Sequence, residues 1–277
     1  YIVFKALDTV DFEKVINALE NAHSVAAAYS QEEYANKLEK DADNAREELI
    51  NAIRTVHPAS FTSIDQGEIS SCVKFLNNFG KIFTLNYDLL LYWVTLEANR
   101  LNTHSVPQKR FNDGFGQGET ENGFRSPFKK SAHCSVYNLH GGLHLFLTPK
   151  REMAKRVFSS PYNQNLLDDI NTVITEDRRL PVYVAEGTYE QKLNKIKSIP
   201  YLSHCHSKLA KVEGTLFIFG HSIIDSHGKF NEQDRHIYNA IFHKKTCVTK
   251  VYYCVYDADK IDKIKEAFAP FERRCPD

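Results

Sequence analysis

Three short stretches carry side chains suited to chemistry: Asn86-Tyr87-Asp88, His140-Gly141-Gly142 and Gly220-His221-Ser222. Asn86 has amide donors and a carbonyl acceptor, which suits holding a water or a sugar hydroxyl, whereas an ionised Asp88 only accepts. His140 can take a proton near neutral pH. Around one pocket, a base, a positioning amide and a carboxylate support hydrolysis or group transfer. Gly220 lets backbone come close to a ligand, and Ser222 could bond a phosphate or a ribose hydroxyl. Each residue also has a plainer use. Asn86 can cap a following helix, and Asp88 can favour that helix's positive end. His140 can satisfy a turn, and Ser222 can close a tight strand exit.

Other candidates are weaker. Asp113-Gly-Phe-Gly-Gln-Gly118 has the glycines of a phosphate loop, but no strand reads before it and no helix after it. A turn or lid is the simpler reading. His204-Cys205-His206 has metal-ligand residue types, yet neighbours on a helix point in different directions. No metal is expected. Asp11 and Glu13 read as charges favoured at a helix start.

The elements that must position these residues alternate. Lys81 to Leu85 is a short buried strand that breaks at Asn86, and an apolar helix follows from Leu89 to Leu101. Ser135 to Thr148 reads as two strands around Gly141-Gly142, a hairpin signal, with His144 just beyond. Arg151 to Asp177 reads as mostly helical. Pro181 to Ala185 is a strand, and helices follow to Val212. Thr215 to Phe219 is the most apolar strand and runs into Gly220. A helix around Ile237, a strand Val251 to Val255 and a helix Asp257 to Phe268 complete the chain. Ligands of open α/β sheets bind at the carboxyl ends of strands, where all three stretches fall. The alternation from residue 80 onward predicts an α/β fold: a Rossmann-like, mostly parallel sheet with helices on both faces. Residues 10–79 form a helical module in front of it. There, Thr9 or Asp8 could cap a helix with Phe12, Val15, Ile16 and Leu19 on one side. Ser30 and Glu33 have capping-box spacing before a second helix that ends at His57-Pro58. The pair reads as an antiparallel hairpin. Residues 102–132 lack periodicity, and a loop of that length is commonly functional.

Composition narrows the partners. Of 277 residues, 42% are hydrophobic and 25% charged, an ordinary globular balance. Basic and acidic residues number 35 each, so net charge gives no indication of nucleic acid. No apolar run approaches the roughly 20 residues of a membrane helix, and no signal peptide is visible. The six cysteines form no CxxC pair. Scattered singly, they suggest reduced thiols in a cytoplasmic protein.

Phe83-Thr-Leu-Asn86-Tyr-Asp88, Leu139-His140-Gly141 and Phe219-Gly-His-Ser222-Ile-Ile-Asp225 follow one another in an order that resembles sirtuin-like domains. The likeness is to the bacterial branch found in anti-phage defence. It covers roughly residues 80–225 and implies a single sirtuin-like domain over 1–277. By that resemblance Asn86 and His140 are catalytic. Thr84, Asp88, Gly220, His221, Ser222 and Asp225 hold NAD, which is the substrate. Asp11-Phe-Glu-Lys-Val-Ile and Pro181-Val-Tyr-Val-Ala-Glu-Gly-Thr are similar to a subgroup that includes partners of HerA-type motor ATPases. A homo-oligomer is implied as well. Two features depart from the pattern. The first strand and glycine-rich loop of such domains, whose N–H groups bind phosphates, are expected before Tyr1. The four-cysteine zinc module of deacetylases is missing, which argues against acetyl-lysine peptides.

The expected reaction is cleavage of the nicotinamide–ribose bond of NAD, with oxocarbenium character at the sugar as in glycoside hydrolysis. A subunit that binds NAD or ADP-ribose without turnover is the main rival. A nuclease component of a motor complex is a second, without an acidic metal cluster to support it.

Overall fold

The computed structural model describes residues 2–58, 60–101, 110–115, 123–125, 134–156, 166–184, 188–225 and 227–272. The chain forms two compact units, Tyr1–Val136 with Gly141–Tyr183, and Tyr137–His140 with Val184–Asp277. It is an α/β protein with small, mostly parallel sheets among helices, consistent with a Rossmann-like class.

The first unit opens with α1 (Ile2–Ala6), α2 (Phe12–Ala28) and α3 (Glu32–Val56). Asp11, rather than Thr9 or Asp8, caps α2, accepting from the backbone of Glu13 and Lys14. Ser30 does not cap α3. Its φ is +56°, so it shapes the turn, and Gln31 stands at the cap without a side-chain bond. The helices pair antiparallel, as their patterning predicts: Val15 and Leu19 bury against Leu38 and Ala42. Arg46, 2% exposed, is held by Glu20 and by Asp43 at 2.7 Å.

Next come α4 (Gln66–Leu76), β1 (Lys81–Thr84), α5 (Leu90–Leu101), β2 (Phe111–Asn112) and β3 (Cys134–Asn138). The sheet order is β1-β3-β2, with β2 parallel to β3. Ile69, Val73, Val94 and Ala98 cluster with Phe111 of β2 and Val136 of β3 and cover this sheet with hydrocarbon. β2 therefore does precede Asp113, contrary to expectation. Two residues are too few to read as a strand in sequence. Gly116 to Gly118 and most of 102–132 lie outside the described residues.

The expected hairpin at Gly141-Gly142 is not formed. β4 (Gly141–Leu147) leaves β3 and pairs antiparallel with β5 (Met153–Lys155) and β6 (Pro181–Tyr183), in the order β5-β4-β6. Gly141 has φ +81°, a conformation glycine adopts at no steric cost. That kink carries the strand to a new partner. β5 also interrupts the stretch expected to be helical, of which α6 (Leu166–Thr175) is the described helix. Trp93 of α5, Leu143, Phe146, Ile170 and Ile174 share the core there with Leu49 and Ile53 of α3.

The second unit holds α7 (Tyr189–Ser198), α8 (Pro200–Leu209), β7 (Glu213–Ile218), α9 (Arg235–Ile241), β8 (Cys247–Tyr253) and α10 (Ile261–Glu272). Thr188 and Gln191 form a capping box at α7. β7 and β8 are parallel, with Leu216 opposite Val251 and Ile218 opposite Tyr253. An aromatic group of Phe230, Tyr238, Phe242, Phe268 and Phe271 packs α9 onto α10. No described helix is long and apolar enough to cross a membrane.

Candidate functional site

In the second unit, polar groups gather around the turn that follows β3. Asn138 ends the strand, and its amide donates to the Tyr201 hydroxyl at 2.8 Å. Two residues later the His140 carbonyl accepts from Val184 N–H at 2.8 Å. These bonds fix the backbone on both sides of Leu139, which is buried. The His140 ring, on a residue 5% exposed, meets His236 of α9. Their Nε2 atoms are 3.0 Å apart and the rings are stacked with centroids at 5.3 Å. One of the two must donate to the other, so at most one Nε2 carries the proton that is shared.

Asp234 stands just before α9 and joins this pair to the other elements. Lys192 of α7 donates to Oδ1 at 3.2 Å. The His221 ring reaches Oδ2 through Nε2 at 3.1 Å. A carboxylate only accepts, so His221 Nε2 carries a hydrogen. Its Nδ1 then takes the Tyr238 hydroxyl at 2.8 Å. Tyr253 of β8 completes the support: its hydroxyl donates to the His221 carbonyl and accepts from Ile223 N–H at 2.9 Å.

Electrostatics follow from this burial. His140 is pushed down to about 3, first by loss of water and then by the neighbouring His236. His236 is pushed down to about 4, again chiefly by burial, with Asp234 opposing. Both imidazoles are neutral at pH 7. Burial works against the Asp234 carboxylate, but the His221 hydrogen bond and the Lys192 charge outweigh it and hold the group well below the usual range. A neutral histidine pair thus sits beside an ionised, well-supported carboxylate.

The third motif is at the exit of β7. Gly220 has φ +66°, and a Cβ placed there would meet nothing within 4 Å. Open space therefore lies beside that backbone. Ser222 turns its hydroxyl inward to the Ile224 carbonyl at 2.6 Å. Asp225 accepts from the N–H groups of His227 and Lys229, each at 2.9 Å. Both bonds shape the loop. His140 and His221 are brought together here through Asp234.

The first motif belongs to the first unit. Thr84 Oγ1 accepts from Asn86 N–H at 3.0 Å, and Asn86 itself is exposed. Asp88 accepts from Leu90 N–H at 2.8 Å at the start of α5. Asp88, not Asn86, does the work of a cap. His57 Nε2 accepts from the preceding N–H, that of Leu89, at 3.1 Å.

Asp234, His236 and Lys192 are the site residues that spacing did not reveal. The available signal was Asp234-Arg-His236 at the head of a helix, two ligand-type side chains within one turn. Cys205 is buried in α8, and the metal cluster geometry of the described residues does not include it or its flanking histidines.

No curated protein matches the chain at a significant level. A family model described as a domain of unknown function, DUF4917, matches residues 2–269. With nearly its whole length inside that match, the chain belongs to the DUF4917 family.

Proposed function

We propose that this protein binds NAD and cleaves its nicotinamide–ribose bond, acting in the cytoplasm to deplete NAD in anti-phage defence. The observation that carries the reading is the position of His140: an imidazole at the turn that leaves β3, beside a carboxylate that can stabilise it once it takes a proton and so offset the loss of basicity that burial imposes. A base of this kind contributes about 10²–10⁴-fold when it removes a proton in the transition state. Nicotinamide leaves as a neutral base, so no strong acid is required. The ribose hydroxyl or a water supplies the proton that His140 takes. Gly220 supports the reading from the strand β7, since its bare backbone with open space alongside suits close approach of a phosphate or ribose. Asn86 enters through the resemblance, as the residue that orients water or ribose hydroxyls. Homo-oligomer contacts and a HerA-type ATPase partner belong to the same proposal.

The rival reading, an NAD- or ADP-ribose-binding subunit without turnover, is favoured by one observation: His140 Nε2 is already engaged by His236. Incubation of the protein with NAD and chromatographic assay of free nicotinamide separates the two. Release that scales with protein concentration supports cleavage. Binding measured by calorimetry with no nicotinamide formed rules cleavage out.

A further inference from the structure

His140, Asp234 and His236 each bring one ligand atom into a group whose members all lie within 4.8 Å of one another. We propose that these three side chains form a binding site for a first-row divalent transition ion, with zinc the best fit. Two imidazoles and a carboxylate are the donor set of open three-ligand sites, in which a fourth position is left for water or another small ligand.

The two nitrogens stand close to where an ion needs them, and the Asp234 oxygen, within 4.8 Å of them, must close toward the same spacing. Zinc–nitrogen bonds of about 2.0 Å at a tetrahedral angle hold two ligand nitrogens about 3.3 Å apart. The Nε2 atoms of His140 and His236 are 3.0 Å apart, so the rings must part by only a few tenths of an ångström. Ligand nitrogens must be free of protons. In the metal-free pair one Nε2 holds a hydrogen. Binding moves the ring proton of a neutral histidine to Nδ1. The Nδ1 of His236 is buried and makes no hydrogen bond among the described residues, so no existing bond is lost when the proton arrives there. The Asp234 side chain is 16% exposed, which gives the ion a way in.

Asp234 is shared, and this makes the site distinctive. Lys192 and His221 each take one contact on its two oxygens. A carboxylate has about four lone-pair sites, so positions for an ion remain. The Lys192 ammonium nevertheless repels a cation bound at the same group. Lys192→Met should therefore tighten binding, while loss of a ligand should weaken it. The site shares His140 with the NAD reading, and an imidazole nitrogen bound to an ion cannot also act as the base, but metal binding tests the site without reference to nicotinamide release.

The test is calorimetric titration of ZnCl2 into the purified full chain, with CoCl2 as a spectroscopic probe. One equivalent of zinc is expected to bind, and cobalt is expected to give the visible bands of a low-coordinate site. His236→Gln and Asp234→Asn should each weaken zinc binding by about 100-fold or more, beyond the range seen when only supporting residues are lost, and Lys192→Met should strengthen it. Absence of both heat and cobalt bands, or zinc affinity unchanged in both ligand variants, overturns the proposal. If either variant fails to fold, histidine ring-nitrogen NMR of the unaltered protein decides. Shifts at His140 and His236 on adding zinc support the site, and unchanged signals at both overturn it.

Discussion

The Nε2 atoms of His140 and His236 face each other at 3.0 Å across a stacked ring pair, although the two residues are 96 positions apart in the chain. Each ring is the other's partner in a region with little water. Replacing His236 by Ala removes that partner and leaves His140 Nε2 buried. An unsatisfied buried polar group costs about 1–3 kcal/mol. His236→Ala should lower the urea midpoint by a corresponding amount with the slope unchanged. A midpoint equal to that of the unaltered protein shows that water replaces the pair at no cost.

His140→Ala tests the proposed base directly. Nicotinamide release should fall by about 10²–10⁴-fold, while the circular dichroism spectrum and NAD binding persist. Asn86→Ala should also suppress release. Turnover at the original rate in either variant removes that residue from the mechanism.

The residues that were legible in sequence are those whose role is local. Asp11 reads as a charge favoured at a helix start, and it does stand at the start of α2, although as the cap itself, a role the sequence reading gives to Thr9 or Asp8. The antiparallel pairing of α2 and α3 follows from apolar stripes. What escaped depends on distant partners. β5 looked like part of a helix because Met153-Ala-Lys155 has no strand alternation of its own. It is a strand because β4 offers it a ladder. Asp234-Arg-His236 reads as an ordinary helix start until His140 is set against it. Lys192 lies on a helix rich in polar residues, yet it is 5% exposed and paired. In each case the missing information is tertiary.

Asp113 and Lys155 form a second buried pair, in the first unit, at 2.8 Å. Burial pushes the Asp113 carboxyl up, but the Lys155 charge and hydrogen bond prevail and keep it low. The Lys155 ammonium also lies 4.9 Å from the centre of the Tyr92 ring. Asp113→Asn leaves an uncompensated buried charge, which costs about 3–5 kcal/mol. Asp113→Leu combined with Lys155→Met should recover most of that loss, because no charge is then buried. If the double variant is less stable than Asp113→Asn in urea denaturation, the pair is not acting as a charge pair.

His144 gives the acid limb of stability a named contributor. It stacks on Tyr92 at 4.8 Å and is pushed down to about 3 by burial and by Lys155, with Asp113 opposing. An unfolded histidine takes its proton near 6.5. Between those values the unfolded chain binds more protons than the folded one, so stability falls as pH falls. The contribution is complete above 6.5 and is lost progressively toward 3, at about 1.4 kcal/mol per pH unit. His144→Gln should flatten the pH dependence across that window by about this slope. A His144→Gln curve parallel to that of the unaltered protein shows that other groups set the acid limb.

Gly141 is the position where the fold departs from its expected hairpin, and it should be intolerant of a side chain. Its φ of +81° is one that L-residues rarely adopt. A Cβ there would lie 1.9 Å from the Val182 carbonyl oxygen of β6, far inside contact distance, and the obstructing atom is backbone. The β4–β6 ladder, in which Gly141 is paired with Tyr183, must then open. The left-handed conformation alone costs about 1–2 kcal/mol for an L-residue, and the displaced strand adds to it. Gly80 is the control, since a Cβ there meets nothing within 4 Å and its φ is not in that region. Gly141→Ala should therefore lower the unfolding midpoint sharply while Gly80→Ala leaves it almost unchanged. Amide exchange should quicken at Val182 and Tyr183 in the first variant only. Equal midpoints for the two variants, with exchange at β6 unaltered, would falsify the assignment of Gly141 as the residue that commits β4 to its new partner.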